Sequence, residues 1–90
     1  MTSFYTFTPT KADANLAKHG VAFEAAEGFE WDIALEKQDA RFEYGEVRCT
    51  AVSFIGPRLY VMVFTRRGDK VHIISLRKAN DRETRNYERF

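Results

Sequence analysis

The sequence predicts an α+β domain: two short N-terminal helices, a four-stranded antiparallel sheet and a C-terminal helix. Helix start and stop signals crowd the first 28 residues and the last eleven, whereas from Trp31 to Arg77 the apolar residues alternate with a period of two. The last three of these alternating stretches are joined only by Gly56-Pro57 and Arg67-Gly68-Asp69. Parallel pairing would need crossovers of about a dozen residues, so these strands form an antiparallel meander. Helices grouped at the ends of a run of strands make α+β rather than α/β.

Thr8 is placed to cap the first helix, with Pro9 in its first turn and Gly20 as the stop after Lys18 and His19. Phe7, Ala12 and Leu16 would form its apolar stripe. A second short helix is expected across Phe23 to Gly28, turning Phe23, Ala26 and Phe29 to the core. Trp31, Ile33 and Leu35 then alternate with Asp32, Ala34 and Glu36, which predicts the first strand over Trp31 to Lys37 and a polar connection over Gln38 to Gly45. Val47 to Ile55, Leu59 to Arg66 and Val71 to Arg77 are the second, third and fourth strands. In Asn80-Asp81-Arg82-Glu83 an Asn precedes Glu by three residues, the spacing of a capping box, so the last helix runs from Asp81 to near Phe90. Arg82, Arg85 and Arg89 share one face of it, and Thr84 and Tyr87 another.

The length of 90 residues sets one domain over 1–90 and excludes a two-domain enzyme. A chain of this size buries roughly 60 to 70% of its unfolded surface, so no large enclosed substrate cavity is expected. An apolar fraction of 44% and an aromatic fraction of 14% exclude intrinsic disorder. Apolar runs such as Tyr60 to Phe64 fall far short of the roughly 20 residues that span a bilayer, and Thr2 to Thr10 is not a basic-then-apolar leader. A membrane is therefore not among the expected partners. One cysteine, Cys49, leaves no internal disulfide and no Cys-based metal set, which fits a reducing, cytoplasmic setting. No pair of His with a carboxylate has ligand spacing, and no Gly-rich phosphate loop, nucleophile elbow or dinucleotide fingerprint is present, so neither metal nor cofactor is expected. The net charge of +1 hides a division: residues 1–45 carry four Lys or Arg against eight Asp or Glu (−4), and residues 46–90 carry ten against five (+5). The basic half suits an anionic partner such as RNA, and the acidic half suits shielding or a basic partner.

Specific residues then become recognisable. Near the N-terminus they are Phe7-Thr8-Pro9, Lys11, Asn15-Leu16-Ala17-Lys18-His19-Gly20-Val21 and Phe23-Glu24. In the middle they are Tyr44-Gly45-Glu46, Arg48 and Arg58, and near the C-terminus Ile73-Ile74-Ser75, Arg77-Lys78-Ala79, Glu83 and Tyr87. In this spaced combination, across essentially its whole length, the chain resembles the BrnT toxins, ribonuclease toxins of type II toxin–antitoxin modules with a RelE-like fold. Family members usually have Trp-Asp where this chain has Phe7-Thr8, which keeps an aromatic and a cap residue, and often Ser in place of Ala22. The resemblance implies a metal-independent endoribonuclease that arrests growth. It also implies a BrnA-like antitoxin that covers the active surface and supplies DNA binding, so operator DNA would be met only through that complex.

Such cleavage needs a base for the 2′-hydroxyl, cationic donors for the phosphorane and an acid for the leaving 5′-oxygen. Arg77, at the end of a strand and in the Arg-Lys-Ala motif, is the first candidate for the phosphate. Arg48 and Arg66 follow, on neighbouring strands from which all three could reach one face if the registers agree. Glu46 is a candidate base near Arg48. Lys18 and His19 are candidates for proton transfer, although both also suit the C-terminus of a helix. Arg67, Lys78, Arg82 and Arg85 are the candidate RNA-binding cations. His72 reads as a satisfied sheet histidine, Tyr87 as packing, and Glu83 as part of the capping box. The alternative from a different class of function is a non-catalytic RNA- or protein-binding module on the same fold; the blander reading of the same charges is solvated strand and helix surface.

Overall fold

The computed structural model describes residues 4–43 and 45–89; Thr2, Tyr44 and Phe90, which figure in the sequence expectations, lie outside the described residues. The elements are β1 (Tyr5–Thr6), α1 (Pro9–His19), two 3₁₀ segments (Phe23–Gly28 and Trp31–Ile33), β2 (Leu35–Glu43), β3 (Glu46–Ile55), β4 (Arg58–Arg67), β5 (Lys70–Lys78) and α2 (Asp81–Glu88). They form an α+β fold whose sheet runs in the order β1-β5-β4-β3-β2, with β1 parallel to β5 and the other neighbours antiparallel. No helix among the described residues is long and apolar enough to cross a membrane.

The predicted meander is present, and β3, β4 and β5 match their expected limits to within one residue. The sheet has five strands rather than four. The addition, β1, pairs Tyr5 with Val71 and Thr6 with His72, and two residues are too few to show a period. The second N-terminal helix is a 3₁₀ segment. The expected first strand is also displaced, because Trp31–Ile33 is a 3₁₀ turn and β2 takes in most of the stretch expected to be a connection. Trp31 is drawn inward: its Nε1 donates to Tyr5 Oη at 2.7 Å, and its ring packs edge-on against Phe29 and Phe64. Glu36, Lys37 and Gln38 can then stand in a strand because β2 is the sheet edge, where polar side chains meet water.

One sheet face carries the main core, in which Ala51, Met62, Phe64, Ile73 and Leu76 lie under Val21, Phe23, Ala26 and Phe29. The other face carries a smaller cluster of Leu59, Val61 and Ala79, covered in part by Tyr87 of α2 packed against Phe54. The α1 stripe departs from expectation. Phe7 and Ala12 do pack against the core, but Leu16 is 51% exposed and its neighbour Asn15 only 5%. Asn15 is buried because α1 lies along β5 beyond the end of β1. There its Nδ2 donates to the carbonyls of Leu76 (2.8 Å) and Val21 (2.9 Å), and its Oδ1 accepts from the Leu76 amide at 3.1 Å. One side-chain amide thus replaces the missing neighbour strand and satisfies backbone groups that burial would otherwise strand.

Candidate functional site

Strand register decides which of the candidate cations meet. Arg48 lies opposite Thr65, and Arg77 opposite Val61. Thr65 and Val61 are four residues apart on β4, so Arg48 and Arg77 share a face, the one on which α2 packs. Arg66 is one step from Thr65 and therefore projects from the opposite face. There its guanidinium donates to Glu36 in two places (2.6 and 2.7 Å) and lies 5.1 Å from the centre of the Phe64 ring. Convergence of the three arginines on one face is thus corrected to two. Lys78, opposite Tyr60, also belongs to the main-core face, and Arg82 and Arg85 are exposed on α2.

Arg77 is engaged by α2. Its guanidinium donates to Glu83 in two places at 2.8 and 2.7 Å, while Glu83 Oε1 accepts from the Asn80 amide and Asn80 Oδ1 from the Glu83 amide. One carboxylate thus closes the capping box and fastens the helix to β5. Its hydrogen bonds with Arg77, more than the Asn80 amide, hold the Glu83 carboxyl below the ordinary glutamate value. A depressed folded-state value means that the stabilisation is present above the unfolded-state value and is lost as pH falls through the lower folded one. With 34% and 25% of the two side chains exposed, solvent screens the pair. Glu83→Gln, which retains an acceptor for Asn80, should therefore cost less than about 1 kcal/mol at pH 7. Glu83→Ala should cost about 1 kcal/mol more through the lost cap. Urea unfolding from pH 7 to 3 checks both, and a Gln variant with an unchanged pH dependence would show that the pair contributes nothing.

Further along the same face, Glu46, Thr65, Arg67 and His72 from β3, β4 and β5 line a cleft of about 480 Å³, with Thr8 and Lys11 of α1 closing its side. Arg67 donates to Glu46 from two nitrogens at 2.6 and 2.8 Å, which keeps Glu46 ionised and orients the guanidinium. His72 is mostly buried, and its Nδ1 shares a hydrogen bond of 2.8 Å with Thr6 Oγ1. Burial, reinforced by the positive charge of Arg67, pushes its pKa below the ordinary imidazole value, so the ring is neutral at neutral pH. On the floor, the buried Thr65 hydroxyl has no hydrogen-bond partner among the described residues. A buried hydroxyl is costly to leave unpaired, and one that lines a cleft is free to serve a ligand. The start of α1 adds the positive end of its dipole.

A β-bulge assembles this group. Val63 lies opposite Ser75 and Phe64 opposite Ile73, which leaves Ile74 as an extra residue in β5. His72 and Arg77 are an odd number of residues apart and would face opposite ways in a regular strand; the extra residue brings both to one face. His72 keeps its satisfied Nδ1, as expected, yet also lines the cleft. Lys11 and Thr65 join it without having been singled out. Lys11 was visible only as a motif residue, and Thr65 only as a polar residue in an apolar strand. Lys18 and His19 line a separate recess of about 190 Å³, bounded also by Lys11, Ile74 and Ser75.

Chemically, the cleft presents two cations, one of them paired with the Glu46 carboxylate, an unpartnered hydroxyl and a neutral imidazole: donors for a phosphate beside a group that can take a proton. No group of three His, Cys, Asp or Glu side chains suited to a metal ion occurs among the described residues. A family model described as "Ribonuclease toxin, BrnT, of type II toxin-antitoxin system" matches residues 7–83, a span that holds every residue of the cleft as well as Arg48, Arg77 and Glu83. No curated protein matches the chain.

Proposed function

Because the chain belongs to the BrnT family, the ribonuclease toxins of type II toxin–antitoxin systems, we propose that it cuts RNA without a metal ion, in the cleft between α1 and the sheet. The observation that carries this reading is the meeting of Lys11, Arg67, the unpartnered Thr65 hydroxyl and neutral His72 around one cleft. Arg67 and Lys11 bind the scissile phosphate, and Thr65 donates to one of its oxygens. His72, giving Nδ1–H to Thr6, takes the 2′-hydroxyl proton at Nε2. The 2′-oxygen then bonds to phosphorus as the P–O5′ bond breaks, and the Lys11 ammonium delivers a proton to the leaving oxygen. The products are a 2′,3′-cyclic phosphate and a free 5′-hydroxyl, after which Lys11 recovers the proton held by His72 through solvent.

In this arrangement Arg67 takes the phosphate role that the sequence favoured for Arg77, because Arg67 lines the cleft beside Thr65 and His72 and Arg77 does not. Arg48 extends the positive strip from the cleft, and Glu46 holds Arg67 in place. A type II toxin has an antitoxin partner; here it is BrnA-like, covers this face in the cytoplasm and contributes the DNA-binding part of the complex. Inducible expression of the chain alone tests the reading: growth arrest with fragmented total RNA is expected, and Arg67→Ala should relieve both. Soluble wild-type chain that leaves RNA intact, or an Arg67→Ala variant that fragments it equally well, would count against cleavage in this cleft.

A further inference from the structure

A second cavity lies outside the proposed catalytic cleft, between α2 and the β2–β3 edge, and the function above leaves it unused. It is a groove of about 850 Å³ lined by Leu35, Lys37, Thr50, Val52, Asn86 and Arg89. We propose that this groove is a nucleotide subsite, seating a base that flanks the cleaved bond of single-stranded RNA. The inference rests on the ribonuclease reading of the neighbouring cleft and extends it.

Continuity comes first. Thr50 projects from the same face as Arg48, two residues away along β3, and Arg48 lies directly across from Thr65 on the cleft floor. Groove and cleft are thus about 7 Å apart along a strand and one strand spacing of about 5 Å apart across the sheet. A strand of RNA held by its phosphate at Arg67 and Lys11 passes Arg48 and then enters the groove.

Charge is the second ground. Lys37 and Arg89 stand at the groove with no carboxylate partner among the described residues, and Arg82 and Arg85 lie exposed on the same helix. The acid at the rim, Glu36, is held by Arg66 on the opposite face, so it does not oppose an incoming phosphate. The third ground is the lining. Leu35 and Val52 offer an apolar floor for a base, the planar Arg89 guanidinium can stack on it, and the Asn86 amide has the donor and acceptor to read one base edge. A protein segment would find the same apolar floor, but the cations along the rim favour a polyanion.

The test uses the purified, antitoxin-free chain with fluorescent RNA dinucleotides and hexanucleotides, all carrying a 2′-deoxy substitution at the cleavage position so that binding is read without cutting. Lys37→Ala/Arg89→Ala should weaken hexanucleotide binding about tenfold and flatten its salt dependence by about 1.4 in log–log slope, two phosphate contacts at roughly 0.7 each. Dinucleotide binding should change much less. Asn86→Ala should even out affinity among the four homopolymers. Equal losses for both lengths, or none, would overturn the subsite while leaving the cleft intact. If the variants instead lose the antitoxin and keep the RNA, the groove is a protein-docking face and the proposal fails. Wild-type chain that binds neither RNA would bring down the ribonuclease reading itself, and the subsite with it.

Discussion

His72→Gln should lower the rate of RNA cleavage by about 10²- to 10⁴-fold, the usual contribution of a positioned general base. Gln keeps a polar group within reach of Thr6 but cannot accept and release a proton near neutral pH. The pH profile sets this apart from a structural effect. Burial and Arg67 favour the neutral ring, so the active form persists to lower pH than for an exposed histidine. The acid limb of wild-type activity should therefore have its midpoint below the ordinary imidazole value of 6.5, with a plateau above it. The Gln variant should keep its thermal stability and lose that limb. Near-wild-type rates, or the same acid limb in the variant, would remove His72 from the chemistry.

Asn15→Leu should be the most destabilising of the substitutions considered. It preserves approximate size and apolar packing but removes three hydrogen bonds, leaving the Leu76 N–H, the Leu76 carbonyl and the Val21 carbonyl without their partner. Each stranded buried group costs about 1 to 3 kcal/mol, so the total should reach about 3 kcal/mol even where water recovers part of it. For a domain of this size that is a fall in melting temperature on the order of 12 to 24 °C. It is also a large share of the about 5 to 15 kcal/mol that holds a typical domain together. Thermal and urea unfolding measure it directly. A loss below about 1 kcal/mol would show that solvent takes over the edge of β5, against the burial of Asn15.

The contrast between these residues shows what could be read in the sequence. Thr8, Pro9, Gly20 and the Asn80–Glu83 box mark helix ends correctly, because a cap is decided by residues three or four positions apart. The meander strands were equally legible, since their turns are short and their composition is β-rich. Trp31 misled because its place is decided by Tyr5, Phe29 and Phe64, contacts that alternation cannot register. Asn15 and Leu16 exchanged roles for a similar reason: an apolar stripe presumes a helix lying on a sheet face, whereas α1 lies against a strand edge that needs hydrogen bonds. The site was half legible. Glu46, Arg48, Arg67 and Arg77 share a face, but Arg66 fell on the other by one residue of register, and His72 joined only through an extra residue in β5.

That extra residue makes the face that lines the cleft a matter of counting. Ile74 contributes little through its own chemistry, yet it resets the phase of everything between His72 and Arg77. Exchanges of one apolar residue for another are therefore tolerable there, whereas gain or loss of a single codon in β5 would invert half of the strand. Alignments of distant relatives are best anchored at this position, since a gap placed one residue away would equate buried side chains with those that face the cleft.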